Sequence, residues 1–409
     1  MLPIILAVVE SSVLLATLCC CYNRLVCLSC FAVLAAGLVA SFDALRGSTW
    51  HLTSLTYDSA AITGHSSMRA AIYTLNGYNV GWETAEVPVP HHSDLSMLIR
   101  VKAVSVNPSN FKHPMIPAAW PFLRHLRQWP VGYDVSGVVL SVGKSSACDV
   151  KVGDDVWGMS IGVAGEYAVL PCHWTVPVPG RLTYGEAAGL GVAGLTSMQA
   201  YERNPIQPGQ QVLVVGASGG CGQFGVSLAG AMGANVTGIC GSRNTDFVKQ
   251  LYSSVTVVDY KSQVDMDSLI SIGQRFDMIY DTVSSNAPED PNYEPVLRPT
   301  LKAHGTYVAI GPCPDFMDQL RAGADMFTRI FNVRVQRKGY DWFLLSPSKP
   351  LILRLNRFFE SALNKVAIDS VHDLTQPGSI ELALERQKSR RAVGKVILTF
   401  GDIPSRRAD

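Results

Sequence analysis

The stretch from Gln211 to Gly225 constrains this chain more than any other: an apolar run, Gln211-Val-Leu-Val-Val215, passes directly into Gly216-Ala-Ser-Gly-Gly-Cys-Gly-Gln-Phe-Gly225. Gly220, Gly222 and Gly225 have the spacing GxGxxG, with a strand pattern before them and a helical pattern over Cys221 to Met232. Glycines in that setting allow a tight turn and close backbone approach, while free N–H groups and the helix dipole hold a pyrophosphate. This reading assigns Ser218, Gly219, Gly220, Cys221 and Gly222 to a dinucleotide; a glycine-rich turn with no ligand competes with it.

The flanking pattern fits a nucleotide domain. After Gly194 apolar strands alternate with helical stretches: NVTGIC, Thr245 to Tyr252, SVTVV, FDMIYDTV and GTYVAIG follow the glycine loop. Such alternation predicts a doubly wound parallel sheet. From Arg69 to about residue 190, short apolar runs (AAIYTL, MLIRVKAVSV, VSGVVLSVG, VGDDVWGM, GEYAVL) recur between turn signals, which predicts a barrel-like β domain. A basic helical stretch, Leu351 to Lys365, then leads to a last strand, GKVILTF, assigned back to the β domain. The expected class is α/β: a leader and linker at 1–67, a β domain at 68–193, a nucleotide domain at 194–344 and a return to the β domain at 345–409.

With 34 basic and 33 acidic side chains the formal charge is +1, and no local Lys/Arg run stands out, which argues against nucleic acid as a partner. From Met1 to Phe42 the only charged residues are Glu10 and Arg24, and Leu25 to Phe42 is an apolar run of 18, about enough to span a bilayer. Membrane anchor, hairpin, cleaved organellar leader and a start at Met68 all remain open. Five cysteines crowd that leader, while Cys148, Cys172, Cys221, Cys240 and Cys313 are scattered, which reads as small core residues of a reducing compartment. The sequon at Asn235 is discounted because NVTGIC reads as a buried strand.

A site preferring NAD places Asp or Glu at the end of the second strand; here that strand runs into Cys240-Gly-Ser-Arg-Asn244. Ser242 and Arg243, with Tyr260 after the third strand, suit the extra phosphate of NADPH. A solvated Arg beside a helix cap is the alternative.

Taken in order, Val106-Asn-Pro-Ser-Asn-Phe-Lys112, Gly132-Tyr-Asp-Val-Ser-Gly137, Val152-Gly-Asp-Asp-Val156, Ala193-Gly-Leu-Thr-Ser197, the glycine loop, Asp259-Tyr-Lys261 and Gly394-Lys-Val-Ile-Leu398 resemble the medium-chain dehydrogenase/reductases. The resemblance runs from about Met68 to Phe400 and is nearest the zinc-free quinone oxidoreductase and enoyl reductase branch, including the reticulon-interacting NADPH oxidoreductases. It implies a GroES-like substrate domain, a Rossmann domain and nicotinamide in the cleft between them. Zinc-dependent members carry Cys where this chain has Val106-Asn107, and His-Glu where it has Tyr133-Asp134, so no metal is expected. By family position Asn107 and Thr196 line the nicotinamide, Gly311 passes its backbone close to it, and Lys395 either contacts the cofactor or is an exposed strand-end lysine. Tyr133, Lys112 and His113, in that order, are the candidate proton donors; Tyr133 packed beneath a loop is the alternative. Asp154-Asp155 reads as a turn and Asp281 as a brace for its loop. Members are commonly dimeric along a Rossmann edge strand, so a homodimer is open.

Three functions follow: an NADPH-dependent reductase of quinones or enones; an enoyl-thioester reductase, with Arg124, Arg127 and Lys112 as a basic mouth; or a membrane-tethered NADPH sensor without turnover.

Overall fold

The computed structural model describes residues 57–76, 79–112, 130–284, 291–310, 339–343, 345–360 and 364–401. The apolar segment 1–42 lies outside them; among the described residues no helix is long and apolar enough to cross a membrane.

Strands β1 (Ser67–Asn76) and β2 (Asn79–Pro88) form an antiparallel hairpin. β3 (Ser96–Val106), β4 (Asp134–Val142), β5 (Asp155–Met159), β6 (Tyr167–Pro171) and β7 (Thr175–Pro177) build most of a seven-stranded sheet. The two-residue period of β3 sends Met97, Ile99 and Val101 into one core with Val135 and Val139, while Leu98 packs on the other side with Met68, Ala70 and Ile72. Gly153, at φ +91°, makes the turn into β5; Asp154 there accepts the Lys151 N–H at 2.9 Å and Asp155 accepts the Tyr184 hydroxyl, so both carboxylates serve structure.

Helix α1 (Tyr184–Gly189) opens on a capping box from Thr183 and Glu186. It runs through a π turn, Leu190–Gly194, into α2 (Leu195–Arg203). Within that turn Gly191 leaves helical geometry (φ −50°, ψ −109°).

The second sheet is parallel throughout: β8 (Gln211–Val215), β9 (Asn235–Cys240), β10 (Thr256–Asp259), β11 (Phe276–Asp281), β12 (Leu301–Ala309) and β13 (Tyr340–Trp342), in the order β10-β9-β8-β11-β12-β13. That is the doubly wound order, with its switch point between β8 and β11. The runs Gln211–Val215 and Phe276–Asp281 are almost continuously buried because helices cover both faces. Helix α3 (Gly220–Ala231) follows β8 and lies close against the sheet; a Cβ on Gly225 would come within 2.8 Å of Tyr280.

Helix α4 (Lys349–Phe359) returns the chain to the first sheet. Its apolar side, Leu351, Ile352, Leu355 and Phe359, joins a core that contains Trp157 and Val176 of the first sheet, Val214 of the second and Phe224 of α3. Trp157 Nε1 donates to Asn356 Oδ1 at 2.8 Å inside it. β14 (Ile368–Asp373) and β15 (Lys395–Thr399) then complete the first sheet, β15 antiparallel to β3.

Two local expectations fail. Cys148 and Cys172, read as separate thiols, form a disulfide with Cα atoms 4.7 Å apart; the Asp94–Leu95 turn gathers both, Cys172 N donating to Leu95 O at 3.0 Å. The reducing-compartment reading therefore retains only Cys221 and Cys240 as free thiols among the described residues. Cys172 and His173 lie on a 3-10 turn. Asn235 is exposed at the mouth of β9, its Nδ2 donating to Gly209 O at 2.9 Å; the buried part of the strand begins at Val236.

Candidate active site

The glycine loop lies at the carboxyl end of β8. Gly216 turns it at φ +77°, and Gly219 N donates back to Gly216 O at 2.9 Å. A Cβ on Gly222 would stand 1.9 Å from Gly216 O, so the helix starts against bare backbone. Gly219 caps α3 with no side-chain hydrogen bond, which leaves first-turn N–H groups open for an anion. A dinucleotide pyrophosphate fits this cradle. Ser218 fastens the loop on two sides: its Oγ accepts from Asn244 Nδ2 at 2.9 Å, and its carbonyl accepts the Gly394 N–H at 3.0 Å.

Beyond β9, Ser242 and Arg243 are exposed on the 3-10 turn Ser242–Asn244. Tyr260, 46% exposed, donates its N–H to Cys240 O at 3.2 Å, and its ring lies beside Gly241. The Lys261 ammonium stands 5.8 Å from the centre of that ring, a second cation at this edge to which the sequence reading gave no role. The acid here is Asp259, at the end of the third strand. Its carboxyl is held below the usual range by the Lys261 N–H, with further help from Ser242, so it is engaged in the turn.

At the junction of the two sheets three buried polar side chains meet. Asn107 follows β3, Asp134 opens β4 and Lys395 opens β15; they are 2%, 0% and 3% exposed. Asn107 Nδ2 donates to Asp134 Oδ2 at 2.7 Å, and Lys395 Nζ donates to Asn107 Oδ1 at 2.5 Å and to Val106 O at 3.3 Å. Asp134 Oδ1 accepts the Val192 N–H at 2.9 Å, from the π turn. Burial pushes the Asp134 carboxyl up to about 6, against the pull of Lys395 and Asn107; burial lowers Lys395, against the pull of Asp134. Lys395 is thus no exposed strand-end lysine, and its stem passes within 3.4 Å of where a Gly220 Cβ would be. The sequence reading gave Asp134 no role of its own. The available signal was an acid opening the apolar strand Asp134-Val-Ser-Gly-Val-Val, where burial demands a partner.

Tyr133 is half-buried and packs against the core shared by the two sheets. Burial, then the neighbouring Asp134 charge, raises its hydroxyl above the ordinary value. Thr196 is buried in the first turn of α2, next to Ser197, whose Oγ lies 3.0 Å from Cys221 O and 2.9 Å from the Tyr280 hydroxyl. The Cys221 thiol is pushed up to about 11 by burial and stays neutral. Asn110 Oδ1 accepts the Asn107 N–H at 2.7 Å, a bond that an Asp side chain would also make. Asp281 braces its loop through the Val283 and Ser284 N–H groups, both at 2.9 Å. The Lys112 side chain, His113, Arg124, Arg127 and Gly311 lie outside the described residues.

A catalytic zinc does not fit this junction. Asn107 and Tyr133 offer an amide and a protonated phenol, and both Asp134 oxygens are already taken. Among the described residues no three His, Cys, Asp or Glu side chains are grouped for a metal. A cavity of about 460 Å³, lined by Arg203, Gln210, Asp277, His304 and Tyr340, opens at the amino ends of the parallel strands. That is the opposite end of the sheet from the cradle, so it is not this site.

Comparison with known proteins agrees with this fold. Residues 93–180 match the alcohol dehydrogenase GroES-like domain and residues 255–398 match the zinc-binding dehydrogenase domain. The chain is 32% identical over 269 residues to the chloroplastic quinone-oxidoreductase QR1 of Triphysaria versicolor, covering 61% of this chain and 77% of the relative. It is 31% identical over 346 residues to the mitochondrial NAD(P)H oxidoreductase RTN4IP1 of Bos taurus, covering 76% and 83%. It is 28% identical over 326 residues to the trans-enoyl reductase pgmF of Aspergillus terreus, covering 75% and 86%. The chain belongs to the medium-chain dehydrogenase/reductase family, as an oxidoreductase working with a nicotinamide cofactor.

Proposed function

We propose that the chain is an NADPH-dependent reductase that delivers hydride, without zinc, to a quinone or an activated C=C such as an enone. The observation that carries this reading is a complete pyrophosphate cradle facing a junction where Asn107, Tyr133 and Asp134 stand in place of metal ligands. Without a Lewis acid the acceptor must spread the developing negative charge itself, and quinones and enones do so by conjugation.

Bound NADPH supplies the hydride. Arg243 and Ser242 supply a cation and a hydroxyl for its extra phosphate, and Tyr260 covers that end. Thr196 and Gly311 are assigned to the nicotinamide pocket. Tyr133, a phenol that is protonated at neutral pH and that burial raises further, donates to the enolate or quinol oxygen. Lys112 is the second candidate for that proton. Asn107 holds the floor of the site rather than the acceptor, since both ends of its amide are engaged. An organellar address through residues 1–42 goes with this reading, since two relatives are named chloroplastic and mitochondrial.

The test follows NADPH absorbance with an ortho-quinone, an enone and a trans-2-enoyl-CoA side by side, repeated with NADH and with a chelator. Consumption of quinone or enone, stronger with NADPH and unchanged by chelation, is expected. Preference for the enoyl-CoA would move the assignment to the enoyl-thioester branch, toward which the pgmF likeness points. NADPH binding with no consumption would make the chain a sensor, and loss on chelation would overturn the zinc-free reading.

A further inference from the structure

The amide of Asn107 is oriented by its neighbours. A carboxylate only accepts and an ammonium only donates, so Nδ2 must face Asp134 and Oδ1 must face Lys395. The carboxylate is aimed in turn. Its other oxygen takes the Val192 N–H, and the π turn that presents this N–H requires glycine at 191, where a Cβ would fall 2.3 Å from the Asp134 carboxyl carbon. The chain therefore bends a helix and gives up a side chain to seat one carboxylate. Lys395 at the far end threads between Gly189 and Gly220, and the adjacent Gly394 N–H ties β15 to the glycine loop through Ser218 O.

We propose that Asp134 is a positioning residue for hydride transfer: acting through Asn107, it keeps the Lys395 ammonium charged and fixed beneath the first turn of the cofactor helix. The inference rests on the reductase reading above. A cation fixed in a water-excluded junction is already oriented when negative charge develops on the acceptor, so it stabilises that charge without reorganisation. Without the carboxylate, the largest influence opposing desolvation at Lys395 is gone, and the balance shifts toward its neutral form. Tyr133 and the Cys221 thiol also face this carboxylate, and both are held in their neutral forms by burial. Among the described residues the charge of the junction is therefore carried by Asp134 and Lys395.

Asp134→Asn separates positioning from packing. The new amide can still accept from Val192, but it turns a donor toward Asn107, whose own amide then flips and offers Lys395 a donor in place of an acceptor. The double variant Asn107→Asp/Asp134→Asn moves the carboxylate onto the Lys395 contact and restores a donor–acceptor match along the chain of bonds. Turnover of the full chain is counted per bound NADPH, titrated by energy transfer from protein fluorescence, so that unfolded molecules drop out. In the single variant kcat is expected to fall by at least about tenfold, with quinone KM and NADPH Kd within about threefold, and the double variant should recover most of the loss.

A second measurement needs no turnover. Cyanate carbamylates neutral amines only, so Lys395, followed by peptide mass spectrometry at pH 7, should react at least about fivefold faster in Asp134→Asn than in the parent or the double variant. If no acceptor is reduced by the parent chain, the reductase reading fails while the cyanate result still decides the state of Lys395. Unchanged kcat per bound NADPH, a loss that the double variant does not recover, or equal carbamylation in all three proteins would overturn the proposal.

Discussion

Gly222→Ala tests the cofactor cradle directly. The added methyl would stand 1.9 Å from Gly216 O, 2.7 Å from Gly216 C and 2.9 Å from Ala217 C, so it must retreat by 1.1 Å to reach even 3.0 Å from the oxygen. All three obstacles are backbone. Gly216 cannot yield, because its N–H is bound to Ile239 O at 3.0 Å and Val283 and Thr282 pack against it. The start of α3 must move instead, and with it the N–H groups that face the pyrophosphate. Hydrogen bonds to a charged group contribute about 1.5–3 kcal/mol each, so losing two costs about 3–6 kcal/mol of binding, a weakening of about 100-fold or more. Ala forms helix better than Gly by about 1 kcal/mol, which offsets only part of the strain. Gly220→Ala is the control: its methyl would meet Lys395 Cδ at 3.4 Å and Gly394 O at 3.5 Å, ordinary contacts. NADPH Kd is measured by fluorescence at fixed salt, with thermal unfolding recorded on the same samples. A folded Gly222→Ala protein that binds NADPH within about threefold of the parent would refute the cradle geometry.

Tyr133→Phe should lower kcat with quinone or enone by at least about tenfold while NADPH Kd stays put; equal turnover removes Tyr133 as proton donor. Arg243→Ala should raise the NADPH Kd by about tenfold or more and leave NADH unchanged, because on the proposed reading only NADPH offers Arg243 a phosphate; equal loss for both would mean a general effect on the fold. Asp369 gives a pH prediction: burial works to raise its carboxyl, but the Arg386 guanidinium at 2.5 and 2.6 Å and the Val393 N–H at 2.8 Å outweigh it and hold it below the usual range. A depressed carboxyl stabilises the fold above its unfolded value and loses that contribution as pH falls through the folded one, so urea stability should drop below about pH 4 in the parent and less in Asp369→Asn, by about 1 kcal/mol given the exposure of Arg386.

What could be read from the sequence was local chemistry with a fixed spacing. The glycine loop announces a strand-to-helix turn because Gly216, Gly222 and Gly225 each answer a steric demand within fifteen residues of one another: a left-handed turn, a backbone contact and a helix–strand contact. The parallel sheet followed from apolar runs alternating with helical ones, since strands covered on both faces carry no polar alternation. The missing acid after β9 was visible too, although Lys261 beside Tyr260 went without a role because a cation just past β10 reaches the end of β9 only once the two strands lie side by side.

What could not be read depends on residues that meet only when the chain closes. Cys148 and Cys172 are 24 positions apart, and nothing in their neighbours says that the Asp94–Leu95 turn will gather them. The kink at Gly191 breaks no helix rule in sequence, because its cause is a carboxylate 57 positions earlier. Lys395 reads in sequence either as a cofactor contact or as an exposed strand-end lysine, and only the fold decides against exposure: β15 enters antiparallel to β3 and delivers its first residue beneath the glycine loop, 288 positions from the amide it binds. A buried charge must find its partner or give up its charge. In this chain the partner lies in the opening residue of β4 and the bridge at the end of β3, so the electrostatics of the junction exist only after the last strand has returned to the first sheet. Lys395→Met should therefore leave Asp134 without its counter-charge while β15 stays in the sheet, and the loss should appear in turnover per bound NADPH before it appears in NADPH affinity.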